Sequence, residues 1–149
     1  RCARHHCRVF AMQEVIHDGL VLARHVPAAE AWSHDGTAGL KFFSPDGDFI
    51  QAGSWGYPAG KELLAHSHNE AHRDVAWTQE LLYVRRGRLR ARIYSPDDRL
   101  LATLEAGEGD LLMLLRGGHG YEILEDGTQA LEVKNGPYLG PERDRRRLK

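Results

Sequence analysis

Turn signals recur along this chain at intervals too short to leave room for helices. Ser44-Pro-Asp-Gly47, Tyr57-Pro-Ala-Gly60, Arg86-Gly87, Ser95-Pro-Asp-Asp98, Ala106-Gly-Glu-Gly109, Gly117-Gly118 and Asp126-Gly127 are separated mostly by segments of about five to nine residues. Glycine and proline so spaced reverse short strands, so an all-β sandwich or barrel is expected. Leu89, Ala91 and Ile93 alternate with Arg88, Arg90 and Arg92, the pattern of a strand with one wet face, and places those arginines in solvent rather than in a pocket. Leu111 to Leu115 is apolar throughout and suits a strand buried on both faces. Ala130-Leu-Glu-Val-Lys134 reads as the last core strand. Around Pro27-Ala-Ala-Glu-Ala-Trp32, residues 12–40 accommodate either a short helix or peripheral strands.

No internal repeat or linker interrupts this pattern, so residues 12–141 are expected to form one domain. The chain has 149 residues, 42% hydrophobic and 28% charged, an ordinary balance for one globular core. Its formal net charge of −1 argues against a general nucleic-acid binder or a binder of anionic membranes, since both need a basic surface. No apolar run approaches the roughly 20 residues that span a bilayer. The tail Glu142-Arg-Asp-Arg-Arg-Arg-Leu-Lys149 is basic but short and contains two acids, and is expected to be a solvated or frayed terminus. Residues 1–11 carry Arg1, Arg4 and Arg8, Cys2, Cys7 and His5-His6 with no apolar core of a secretory signal, and read as a disordered extension or sequence foreign to the domain. The absence of cysteine beyond Cys7 removes disulfides as a determinant of the fold and agrees with a cytoplasmic setting.

The chemistry-bearing residues are arranged with strand spacing. His66 and His68 flank Ser67, and residues i and i+2 of a strand share a face, so both imidazoles can turn toward one ion. Glu80 heads the strand-like run Glu80-Leu-Leu-Tyr-Val-Arg-Arg-Gly87, and His119 lies in Gly-Gly-His-Gly-Tyr. His17, His25 and His34 have no companion pattern and are expected to be structural or exposed, whereas His72 lies close to the proposed ligands in sequence.

The order Gly60, His66-x-His68, Glu80, Gly87, followed by Gly107, Gly109, Gly117, Gly118 and His119, resembles the cupin superfamily over roughly residues 53 to 134. His-Ser-His-Asn, Thr-Gln-Glu, Gly-Gly-His-Gly and Gly-Pro-Tyr are also similar to small bacterial cupins of uncharacterised activity. The chain departs from the family pattern in the eleven-residue gap Asn69 to Gln79 and in lacking a proline ahead of His119. The resemblance implies a double-stranded β-helix, the cupin jelly-roll barrel, with a minor peripheral helix. It also implies one divalent transition metal (Fe, Mn, Ni or Zn) held by His66, His68, Glu80 and His119. Four protein ligands on a six-coordinate ion leave two positions for a hydroxy acid, keto acid, enediol or dioxygen.

In such a barrel, Leu64, Leu82, Val84, Tyr121 and Ile123 would line the lumen and surround the polar centre with apolar side chains. Arg73, Trp77 and Gln79 are candidates for the rim, with Leu82 and Tyr121 completing the substrate contacts; an arginine there could fork to a carboxylate or phosphate. Glu132, Lys134 and His72 are candidates for a general acid or base. Two functions follow from the resemblance. One is a metal-dependent enzyme, an isomerase, lyase or iron(II) dioxygenase, acting on a small polar metabolite such as a sugar or hydroxy or keto acid. The other is a non-catalytic binder of a sugar or small acid. Cupin-like sheets often pair across an edge, so a homodimer is expected, with residues 12–56 contributing.

Overall fold

The computed structural model describes residues 11–34 and 39–148; the expected N-terminal extension, with Cys2 and Cys7, lies almost wholly outside them. In chain order the elements are β1 (Gln13–His17), β2 (Leu20–Val26), α1 (Ala28–Ala31), β3 (Leu40–Phe42), β4 (Gly53–Trp55), β5 (Glu80–Arg86), β6 (Arg88–Tyr94), β7 (Leu100–Gly107), β8 (Leu111–Leu114), β9 (Gly118–Ile123), β10 (Gln129–Lys134) and α2 (Pro141–Asp144). The protein is all-β, as the turn spacing predicts. Every strand pair is antiparallel.

The strands form a five-stranded sheet, β1-β2-β8-β5-β10, a three-stranded sheet, β7-β6-β9, and the hairpin β3-β4; none closes into a barrel among the described residues. One apolar cluster joins the two larger sheets: Leu22, Ala23, Leu82, Val84, Leu112 and Leu114 from the first meet Leu89, Ala91, Ile93, Leu104 and Ala106 from the second. A second cluster lies on the outer face of the five-stranded sheet, where Val26, Leu111, Met113 and Leu115 are covered by Ala31, Phe43 and Ala52. β8, central and packed on both sides, is therefore buried at all four positions. β6 alternates buried and part-exposed residues, and its arginines pair across the wet face: Arg90 with Glu105 and Glu122, Arg92 with Glu122.

The chain changes sheets at Gly87, between β5 and β6. Its φ is +77°, and a Cβ there would meet Thr128 Oγ1 at 2.4 Å, so both the backbone angle and the close approach call for glycine. This corner lets β5 carry its head residue toward one sheet while β6 enters the other.

Three expectations change. β10 is not a core strand: it is the edge strand, paired only with β5, and all six of its residues, on both faces, are exposed. β2 is central rather than peripheral, with Ala23 and Val26 fully buried. The C-terminal segment is largely solvated, as one of the two expectations had it, but its side chains anchor it rather than leaving it frayed. Arg146 forms two hydrogen bonds of 2.8 and 2.7 Å to Asp98, Thr78 donates to Asp144 at 2.7 Å, and Leu148 packs against Gly118. Among the described residues no helix is long and apolar enough to cross a membrane.

A candidate metal centre between the sheets

Glu80 is the first residue of β5, and antiparallel register sets Lys134 of the edge strand β10 directly opposite it. Cross-strand neighbours on one face lie within side-chain reach, and Lys134 Nζ stands 3.0 Å from Glu80 Oε1. The other carboxylate oxygen faces the second sheet. There β9 holds His119 opposite Ile93 of β6, and His119 Nε2 lies 3.1 Å from Glu80 Oε2. Tyr121, two residues further along β9 and on the same face, packs its ring beside His119 with centroids 5.4 Å apart. Glu132, two residues before Lys134, completes the group at 2.9 Å from Nζ.

Glu80 is only 9% exposed. Burial alone would raise its carboxyl, but hydrogen bonds and charge from His119 and Lys134 outweigh that and hold it at about 2, against an ordinary 4.5. Glu132 first and Glu80 second raise the Lys134 ammonium above its usual range. The Tyr121 phenol is pushed up by burial and then by the charges of Glu80 and Glu132, so it stays neutral. Its hydroxyl is buried with no hydrogen-bond partner in good geometry, leaving a donor available to a group entering the site.

The pH dependence follows in sign. A carboxyl whose folded pKa is depressed contributes stability that is present above its unfolded value and lost as it protonates in the folded state. In chelator-treated protein, acid should therefore lower the melting temperature between about pH 4.5 and pH 2 through Glu80. Glu80→Gln should flatten that part of the acid limb, as read by thermal melts at pH 5, 4 and 3. Equal slopes in both proteins would show that the carboxylate is not held as its contacts imply.

Of the four expected metal ligands, the structure brings together Glu80 and His119 as one pair and His66 and His68 as another. The rings of His66 and His68 are 5.2 Å apart and edge-on, but they do not lie on the strand that their i and i+2 spacing predicts. They lie in a stretch without secondary structure in which every residue from 58 to 77 is exposed. No group of three or more His, Cys, Asp or Glu able to hold a metal forms among the described residues. Glu80 and His119 meet at 3.1 Å, the distance of a charge-assisted hydrogen bond.

The other candidates are dispersed. Leu82 and Val84 are buried in the packed core between the two larger sheets rather than lining an open lumen, whereas Leu64 and Ile123 are exposed. His72 is exposed beside Asp74 at 3.5 Å. Arg73 donates to its neighbour Ala71 O and borders an open cleft of about 500 Å3 with Asp46, Asp48, Asp74 and Asn135, a cleft lined by none of Glu80, His119, Tyr121 or Lys134. Trp77 donates to Leu115 O at 3.0 Å and lies between Phe49 and the Arg116 guanidinium.

Gln79 lies inside the protein rather than at a rim. Its amide oxygen accepts from Phe49 N and Ile50 N, and its amide nitrogen donates to Asp48 Oδ1 and Leu115 O. Asp48 in turn accepts from Arg116 at 2.7 Å. Asp48 and Arg116 were marked by no motif, yet through Gln79 they fix the residue beside Glu80; the only sequence hint was the position of Arg116 just ahead of Gly117-Gly118-His119. No family model, curated protein or solved structure matches this chain.

Proposed function

We propose that this protein is a cupin-type, divalent-metal-dependent enzyme acting on a small polar metabolite such as a sugar or a hydroxy or keto acid. The observation that supports this reading is the contact of His119 with the buried Glu80, two of the expected ligands brought together from two different sheets. The two antiparallel sheets around one core are the arrangement a jelly roll would have, which supports the same assignment. β9 has a partner strand on one edge only, and the stretch bearing His66 and His68 is exposed chain without helix or strand. Docked along β9, that stretch would bring its imidazoles to the side of His119 and complete a set of three histidines and one carboxylate.

Such an ion supplies Lewis-acid polarisation of a substrate oxygen or, as iron(II), activation of dioxygen. The chain's own residues do the rest. Leu82 and Val84 keep water from the floor, the neutral Tyr121 hydroxyl donates to a substrate oxygen, and Lys134 with Glu132 offers a cation to an acidic group. The test is elemental analysis of anaerobically purified protein followed by an oxygen-uptake screen against small acids and sugars. Iron with substrate-dependent uptake supports an oxygenase, and manganese, nickel or zinc without uptake supports an isomerase or lyase. Protein that carries no metal and takes up none on reconstitution would overturn the metal reading and favour a non-catalytic binder.

We also propose a homodimer formed through the β3-β4 hairpin. Leu40, Phe42 and Trp55 are each more than half exposed, and the register Leu40 with Trp55 and Phe42 with Gly53 places them on one face. A two-stranded hairpin with an open apolar face is marginal by itself, and a second copy related by a two-fold axis covers it with the same surface. Light scattering at micromolar concentration should give twice the chain mass, and Trp55→Glu should halve it. A wild-type monomer under those conditions removes the idea.

A further inference from the structure

We propose that Asp48 is the positioning residue of the Glu80–His119 pair: it holds both chain segments that lead into these residues, and so sets how the two sheets present them to each other. The inference rests on that pair as the functional site of the reading above, and not on what the site binds.

The two residues stand on different sheets, and the chain crosses between the sheets close to both. Leu114 ends β8 directly opposite Glu80, and β9 begins at Gly118, so residues 115–117 alone carry the chain across. That link has little slack. Gly117 has φ +73°, and a Cβ there would run into Tyr94 O. Where Arg116 is held, the head of β9 is held with it.

A single oxygen of Asp48 ties this link to the lead-in of β5. Oδ1 accepts from Arg116 Nη1 at 2.7 Å and from Gln79 Nε2 at 2.8 Å, and Gln79 immediately precedes Glu80. The Asp48 side chain is only 3% exposed, and in such a place a hydrogen bond to a charged group is strong and costly to leave unmade. Asp48 is itself fixed in the loop between β3 and β4: its N–H donates to Pro45 O at 3.1 Å, and Ala52 N donates to Ser44 Oγ at 2.7 Å. The Gln79 amide has no freedom either. Its oxygen takes two backbone N–H groups, and its nitrogen gives one hydrogen to Asp48 and the other to Leu115 O at 3.2 Å. Trp77 adds to the same stitch, donating to Leu115 O while its ring lies 5.1 Å from the Arg116 guanidinium.

Successive strand residues point to opposite faces, so the Gln79 side chain lies on the other side of β5 from Glu80. Asp48 therefore acts on the pair through the backbone. A carboxylate that merely stabilised the protein would leave the interaction between Glu80 and His119 as strong as before when it is removed. A positioning carboxylate weakens that interaction as well.

The test is the coupling between Glu80→Gln and His119→Gln, read from urea unfolding of the two single variants and the double variant with chelator present. The coupling measured in the wild-type background should fall by about half or more in an Asp48→Ala background. Asp110→Asn disturbs a buried carboxylate at the other end of β8, where it meets His25, and should leave the coupling intact. An unchanged coupling in Asp48→Ala, or an equal loss in Asp110→Asn, would overturn the inference and leave the functional reading standing. Should Asp48→Ala fail to fold, Arg116→Met keeps an apolar stem beside Trp77 and removes the bond to Asp48, and an unchanged coupling there overturns the inference in its place. Failure of the protein to take up metal would sink the metal reading without touching this result, since the cycle is run in chelator. Absence of coupling in the wild-type background would overturn the inference together with the contact on which the functional reading rests.

Discussion

Asp110→Ala is expected to lower unfolding stability by about 3–5 kcal/mol, among the largest effects of any polar substitution in the protein. Asp110 joins three separate parts of the chain. Its Oδ2 lies 2.8 Å from His25 Nε2 in β2 and accepts from Gly107 N at 2.9 Å, and its Oδ1 accepts from Ala28 N at the start of α1 at 2.7 Å. His25 is almost completely buried, and its other ring nitrogen meets Gln13 at 3.2 Å. Burial pushes the Asp110 carboxyl up, but the His25 hydrogen bond and the two backbone donors outweigh it and hold it below its ordinary value. Truncation to alanine leaves an imidazole and two N–H groups without partners, and each such buried orphan costs about 1–3 kcal/mol.

Asp110→Asn keeps the shape and one acceptor oxygen, so its loss should be intermediate. Asp97→Ala, at the exposed tip between β6 and β7, removes only a local pair with Arg99 and Ser95 and should leave the unfolding midpoint close to wild type. Urea unfolding midpoints of the three variants decide the matter. Equal midpoints for Asp110→Ala and Asp97→Ala would show that the buried network does not hold β2, α1 and the turn before β8 together.

The elements legible in the sequence are those whose environment is set by their own residues. Gly87 marks the corner between the sheets because a positive φ beside Thr128 admits little else, and the arginine and aliphatic alternation of β6 states its buried face directly. β8 was legible as a doubly buried strand because all its residues are apolar. β10 was not, since Ala130 to Lys134 alternates in the same way whether or not anything covers its outer face. Partners far away in sequence were equally hidden. Arg146 finds Asp98 forty-eight residues upstream, and Gln79 is buried because donors and acceptors on Asp48, Phe49, Ile50 and Leu115 happen to converge on one amide.

The candidate site divides along the same line. The strand expected to carry His66 and His68 does not form, so the pair stays in the exposed stretch, whereas Glu80 and His119, each on a strand, come into contact. Lys134 was a candidate on the strength of its strand face alone. That it sits on Glu80 is a consequence of register, which the residues of β5 and β10 do not spell out separately.

Replacing the proposed ligands one at a time should rank them by what each would give the proposed ion. His119→Ala removes an imidazole from the buried half of the site, where Glu80 is already positioned, and metal per subunit should fall to background by elemental analysis. Water is a poorer donor than imidazole, and the Glu80 carboxylate would keep Lys134 as its only close cation. His66→Ala and His68→Ala should each cause a similar loss if the exposed stretch docks on β9, because both imidazoles arrive together.

Glu80→Gln keeps the side-chain shape and removes the negative charge, so metal should bind more weakly without the site being dismantled, and the acidity of any bound water should change with the charge at the centre. His72→Ala should leave metal content near wild type, since that imidazole is exposed beside Asp74 and away from the sheets. Glu70 supplies the control. It is the nearest rival carboxylate in sequence and lies in the same exposed stretch as the histidine pair. If Glu70→Gln empties the site while Glu80→Gln leaves it full, the carboxylate ligand belongs to the exposed stretch 58–77 and not to the head of β5. The contact between Glu80 and His119 would then be a structural ion pair that braces the two sheets.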